Sequence, residues 1–174
     1  MCFCLVQSTE KKQNYDLELL YVSALFHDLG LTKKYSSPDL RFEGDGANAA
    51  RSFLQQYQVP DESIRLVWDA IVLHTTPGVA EHNEAEVALL FSGVGLDVMG
   101  DGFEQFPDDL REEIIKVFPR NNFKKKIIPA VYEGFKHKPE TTFGNMKEDV
   151  IKHFRPEYKN KNFCHCILHS PWSE

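Results

Sequence analysis

From Asp16 onward the apolar residues of this chain recur at intervals of three and four, with no sustained alternation of two. Side chains so spaced share one stripe of a helix, so the expected fold class is all-α, a helical bundle. Leu17, Leu20, Tyr21 and Ala24 form the first stripe, and Asp28 continues it beside His27, with Gly30 expected to end the helix. Ala47 to Tyr57 reads as a short helix after a loop that carries Arg41 to Gly46. Asp61 is expected to cap a helix running to about His74, with Ile64, Val67, Trp68 and Ile71 as its apolar stripe. A third strong helix is expected from about Glu84 to Val98, with Val87, Leu90, Phe91 and Val94 buried and Asp97 one step along the same face. Gly100 and Gly102 close it. Pro107 opens a helix to about Val117, Asn121 to His137 forms another that Pro129 kinks or splits, and Asn145 to Phe154 forms the last.

Three helices thus share one design, an apolar stripe whose C-terminal end holds a potential ligand: His27 with Asp28, then His74, then Asp97. A carboxylate on a core-facing stripe must be neutralised, paired or bound to a cation, because desolvating it alone costs more than a small domain can supply. Adjacent nitrogen and oxygen ligands near a helix C-terminus, where the helix dipole favours positive charge, point to a divalent metal at His27 and Asp28. If the three helix ends converge, they form a polar pocket at one end of a hydrophobic bundle. For Asp97 a plainer role stays open, satisfaction by the backbone amides of the glycine-rich turn that follows. The run Lys124 to Lys126 reads as a solvated face.

Length and composition set the remaining bounds. With 174 residues and 42% hydrophobic content the expectation is a single domain over residues 15–174 behind an unpatterned tail, residues 1–14. The net charge of −6, from 20 basic and 26 acidic residues, offers no basic surplus for phosphates along a nucleic acid. No apolar run approaches the roughly 20 residues that span a bilayer, and the start lacks a signal-peptide pattern, so no membrane partner and a cytoplasmic or nuclear protein are expected. Cys2 with Cys4 and Cys164 with Cys166 read as reduced thiols; the alternative is a metal set completed by His165 and His169.

The stretch Ala24 to Thr32, ALFHDLGLT, resembles the signature of the HD-domain superfamily of metal-dependent phosphohydrolases, an all-α fold named for its His-Asp pair. Together with RFEGDGANAAR, DAIVLHTTPG, EVALLFSGVGLDVMG and HKPETTFGN, it is similar to the branch containing fungal cyanamide hydratases, over about residues 15–174. The resemblance implies that His27, Asp28 and Asp97 hold one metal ion, zinc, iron or manganese, with His74 as a further ligand or an acid/base group. It places Glu43 and Asp45 near the pocket, and it implies a small-molecule substrate and allows a homo-oligomer. It also implies a first histidine on an upstream helix, and residues 1 to 26 contain none. Two expectations follow, a chain that begins inside the family domain or a degenerate member that binds metal poorly.

The activity implied is a metal-dependent hydratase or hydrolase working through an activated water, with Asp28 and His74 nearest the chemistry. Attack at phosphorus needs Lys or Arg in the pocket, whereas attack at a nitrile-like carbon allows a small neutral one. Lys33, Lys34 and Arg41 lie nearest in sequence, and apolar neighbours dominate around His74 and Asp97, which tilts the expectation toward a small neutral substrate. The runner-up readings are a nucleotide phosphohydrolase and a non-catalytic helical domain.

Overall fold

A computed structural model describes residues 14–160. Among them are seven α-helices and no strand: α1 Leu17–Phe26, α2 Phe42–Gln56, α3 Asp61–Leu73, α4 Ala85–Val98, α5 Asp108–Val117, α6 Phe123–Phe135 and α7 Lys147–Phe154. The expected all-α class is thereby met. Both Cys-x-Cys pairs, with His165 and His169, lie outside the described residues.

Helix α3 is the axis of the domain, with α1, α2 and α4 packed around it. Its two sides feed two cores. Ala70 joins Leu20, Ala80, Val87 and Leu90 on one side, and Ile64, Val67 and Ile71 join Ala47, Ala50 and Leu54 on the other. A smaller third cluster of Phe42, Phe135 and Ile151 ties α6 and α7 to the start of α2. Burying an aliphatic side chain of this kind stabilises by about 1.5–3 kcal/mol.

Helix α1 starts where the Asp16 carboxylate accepts the backbone N–H groups of Glu18 and Leu19, at 2.9 and 3.1 Å. The cap satisfies two of the N–H groups that the first turn leaves unpaired. The buried face differs from the expected stripe. Leu20 and Ser23 are buried, Leu19, Val22 and Phe26 pack on the second core, and Leu17 and Tyr21 are half-exposed. The physical reason is that LELLYVSALF is apolar nearly all round, so its spacing does not fix which side faces inward. Ser23, fully buried, donates to the Leu19 carbonyl at 2.7 Å and so carries no unmet polar group.

Arg41 to Gly46 is not a loop. The residues from Phe42 onward form the first turns of α2, a fifteen-residue helix. One of its glycines is placed for contact: a Cβ on Gly46 would lie 3.0 and 3.1 Å from the Phe26 and His27 carbonyl oxygens. Gly30 answers from the other side, since a Cβ there would stand 2.0 Å from the Phe42 carbonyl oxygen. The end of α1 and the start of α2 therefore meet backbone to backbone. Gly30 serves this close approach and not a left-handed helix cap, whereas Gly100 and Gly102 do adopt positive φ after α4.

Smaller differences concern helix ends. Pro60 takes the cap position of α3, with Asp61 as its first residue, and Pro129 sits inside an undivided α6. Lys124 to Lys126 are exposed, as their solvated-face reading requires.

Candidate metal centre

His27 is the C-cap of α1 and His74 the C-cap of α3, so the packing of α1 on α3 brings two imidazoles to one place. Their rings meet edge to face with centroids 5.0 Å apart. Asp28 stands between them: its Oδ2 is 3.3 Å from His27 Nε2, and its Oδ1 is 3.8 Å from His74 Nε2. One ligand atom from each of His27, Asp28 and His74 lies within 4.8 Å of the others.

The second nitrogen of each ring decides what the first can do. His27 Nδ1 lies 2.8 Å from the Ala24 carbonyl oxygen, and His74 Nδ1 lies 2.5 Å from that of Ile71. A carbonyl only accepts, so each Nδ1 donates its hydrogen there, and in the neutral ring Nε2 carries the lone pair. Metal-binding histidines are oriented in this way, with the other N–H held by a carbonyl or carboxylate. The two Nε2 atoms and the Asp28 carboxylate form a donor set suited to a divalent cation of borderline softness.

Access is from the Asp28 side. The Asp28 side chain is 46% exposed, His27 23% and His74 2%. Asp28 is therefore not a buried core-stripe residue; it lies in the turn after α1, at the mouth of the group. Burial, aided by the neighbouring His27, pushes His74 down to about 4, so it is neutral at neutral pH. For His27 burial also acts downward, but the hydrogen bond and charge of Asp28 outweigh it and raise the pKa. Burial would raise Asp28, and its contacts with His27 bring it below the ordinary carboxylate range instead.

Asp97 lies outside this group of three. Arg120 holds it twice, through the Asp97 Oδ1 and, at 2.9 Å, through the Asp97 backbone carbonyl. It remains near enough for its charge to favour protonated His27.

Glu43 and Asp45 stand behind the site in buried ion pairs. Lys138, with no exposed surface, donates to Asp45 Oδ2 at 2.6 Å and to the Ser37 carbonyl at 3.1 Å. Lys147 donates to Glu43 Oε1, which also accepts from Thr75, the residue after His74. Phe42, beside Glu43, lies edge to face against His74 with centroids 5.7 Å apart. Burial acts to raise Glu43, and Lys147 overrides it and holds the carboxyl below its ordinary value. Neither lysine was legible as a partner from sequence, because the paired residues stand 93 and 104 positions apart. Arg120 was missed for the same reason. Lys33 and Lys34 are exposed, Lys34 with its Nζ over the Tyr35 ring, and Arg41 lies 3.5 Å from Glu43.

No family model, characterised protein or solved structure matches the chain. Among the described residues no helix is long and apolar enough to cross a membrane.

Proposed function

We propose that the chain is an HD-superfamily, metal-dependent hydratase or hydrolase of a small molecule, with a nitrile-like compound such as cyanamide as the substrate class it fits best. The observation that carries this reading is the convergence of His27 Nε2, His74 Nε2 and the Asp28 carboxylate, with both Nδ1 hydrogens already committed to backbone carbonyls. A divalent ion, zinc, iron or manganese, held by these groups supplies Lewis-acid polarisation and an acidified water. His74, neutral and buried, suits a ligand better than a proton donor. Asp28, half-exposed at the mouth, is the group that both binds the ion and meets an incoming substrate.

The charge distribution favours a neutral substrate over a phosphate. The two lysines that reach the surroundings of the site, Lys138 and Lys147, are buried and consumed by Asp45 and Glu43. A phosphate would find neither available, and anion recognition depends on such donors.

A second reading, a helical domain without catalysis, has two observations in its favour: residues 1 to 26 contain no histidine, and Arg120 holds Asp97, so the compact group has three members and not four. Turnover separates the readings. Purified protein with zinc, iron(II) or manganese is expected to hydrate cyanamide and to leave nucleoside monophosphates intact. Release of phosphate would move the assignment to the phosphohydrolases, and bound metal with neither reaction would support the non-catalytic domain.

A further inference from the structure

Asp28 is held by the turn that follows it. Leu31 donates its backbone N–H to the Asp28 carbonyl at 3.0 Å, and Thr32 donates to the Leu29 carbonyl, also at 3.0 Å. One side of this turn is fixed where Gly30 meets α2, since a Cβ there would stand 2.0 Å from the Phe42 carbonyl oxygen and 2.9 Å from Asp45 Cβ. The other side lies against α6. A Cβ on Gly134, buried in the last turn of that helix, would stand 2.5 Å from Leu31 Cδ2, 2.9 Å from its Cβ and 3.0 Å from its Cα.

These distances demand different things. The Cδ2 methyl ends a flexible side chain and can swing aside, but Cβ and Cα move only with the backbone of the turn. On the α2 side that backbone has no slack. A methyl at position 134 therefore shifts the whole turn, and Asp28 with it, because close-packed neighbours transmit a displacement instead of absorbing it. Gly134 is not among the glycines with positive φ, so its backbone conformation does not call for glycine. Within a helix a glycine is a cost relative to alanine, and the room it leaves for Leu31 is the return. Leu31 in turn packs on the cluster of Phe42, Phe135 and Ile151, and the Phe42 ring lies against His74. The end of α6 thus stands behind two members of the group of three. Such a constellation has to be held within about 0.5 Å to bind well.

We infer that Gly134 is a positioning residue for the metal group: by leaving room for Leu31, α6 sets the turn that places Asp28 against His27 and His74. The inference rests on the reading of these three residues as ligands. Gly134→Ala in the full chain is expected to shift the backbone amide NMR signals of residues 28–32 in metal-free protein and to weaken zinc binding about tenfold, the low end of what support around a metal site contributes. Leu31→Ala slackens the same contact without a clash, so it keeps the fold and is expected to weaken zinc by a smaller factor. The two changes combined remove the nearest clashing atom and are expected to bind zinc more tightly than Gly134→Ala alone. Val87→Ala, in a core cluster that contains none of residues 28–32, is expected to lower stability and leave both the signals and the zinc affinity as in the wild type. Unmoved signals at residues 28–32, wild-type zinc affinity in both single variants, no recovery in the double variant, or an equal loss in Val87→Ala overturns the inference. A wild type that takes up no zinc overturns the metal reading and this inference with it, whereas zinc held equally well by wild type and Gly134→Ala overturns the inference alone.

Discussion

His27 and His74 each spend Nδ1 on the carbonyl three residues back and turn Nε2 toward the same Asp28 carboxylate. The symmetry has a simple origin, because each histidine is the C-cap of its helix and the last turn offers its carbonyls to any donor there. The geometry predicts one divalent ion per chain. Dialysis against zinc followed by elemental analysis is expected to give stoichiometric metal in the wild type and loss of at least about tenfold in affinity for His27→Ala and for His74→Asn, with helical circular dichroism retained. Unchanged metal content in both variants would remove the pair from the site.

The close approach of α1 to α2 holds His27 in place, and it is testable at Gly46. An added methyl at 3.0–3.1 Å from two carbonyl oxygens has no flexible side chain to displace. Gly46→Ala is expected to cost about 1–3 kcal/mol in urea unfolding, as overpacked sites do, where an ordinary helical Gly→Ala change stabilises by up to about 1 kcal/mol. Gly44→Ala, with open space around it, is the matched control and is expected to stabilise. Equal effects at the two positions would show that the contact is not a constraint.

That contrast also explains what could be read from the sequence. Helix α3 was legible because its apolar stripe is narrow, and α4 because its ends are marked by Glu84 and Gly100, although its apolar residues run nearly all round and Phe91 and Val94 are only partly buried. The start of α2 was not, because Gly44 and Gly46 read as loop residues when judged by propensity alone, whereas one of them exists for a tertiary contact. His27, Asp28 and His74 were singled out from their place at helix ends, and the fold brings them within 4.8 Å of one another. The inward phase of α1 was mistaken, and Asp28 was assigned to the core when it stands at the mouth. Nothing local to residues 43, 45 or 97 announces Lys147, Lys138 or Arg120, since ion pairs across a fold leave no mark on spacing.

Arg120 and Asp97 make a cycle worth measuring. If Arg120 keeps the Asp97 carboxylate from supporting the metal group, Arg120→Met is expected to raise metal affinity several-fold, an effect of about 1 kcal/mol, and Asp97→Asn to leave it nearly unchanged. The double variant is then expected to match Asp97→Asn, because the arginine acts only through the carboxylate. Metal affinities by competition with a chromophoric chelator test all three. An Arg120→Met variant with wild-type affinity would leave Asp97 as a structural partner only.

The Glu43–Lys147 pair contributes to stability on the acid side. Glu43 has its pKa lowered from 4.5 in the folded protein, so its contribution is present above the unfolded value and is lost as pH falls through the folded value. Lys147→Met removes the cation that overrides burial and leaves Glu43, 1% exposed, with only the Thr75 hydroxyl and the partly exposed Arg41 guanidinium, 3.5 Å away, as partners among those described. Stranding one member of a buried pair costs about 3–5 kcal/mol. Burial then raises the Glu43 pKa, and the variant takes up a proton that the wild type refuses. The loss caused by Lys147→Met is therefore expected to be largest near neutral pH and to shrink steadily as the solution is acidified toward pH 4.5, where wild-type Glu43 is still ionised. Urea unfolding of both proteins across that interval decides the matter. A difference in stability that does not change with pH would mean that the lysine acts by packing its methylenes against Phe42, whose ring centroid lies 5.2 Å from Nζ, and not by holding the charge of Glu43.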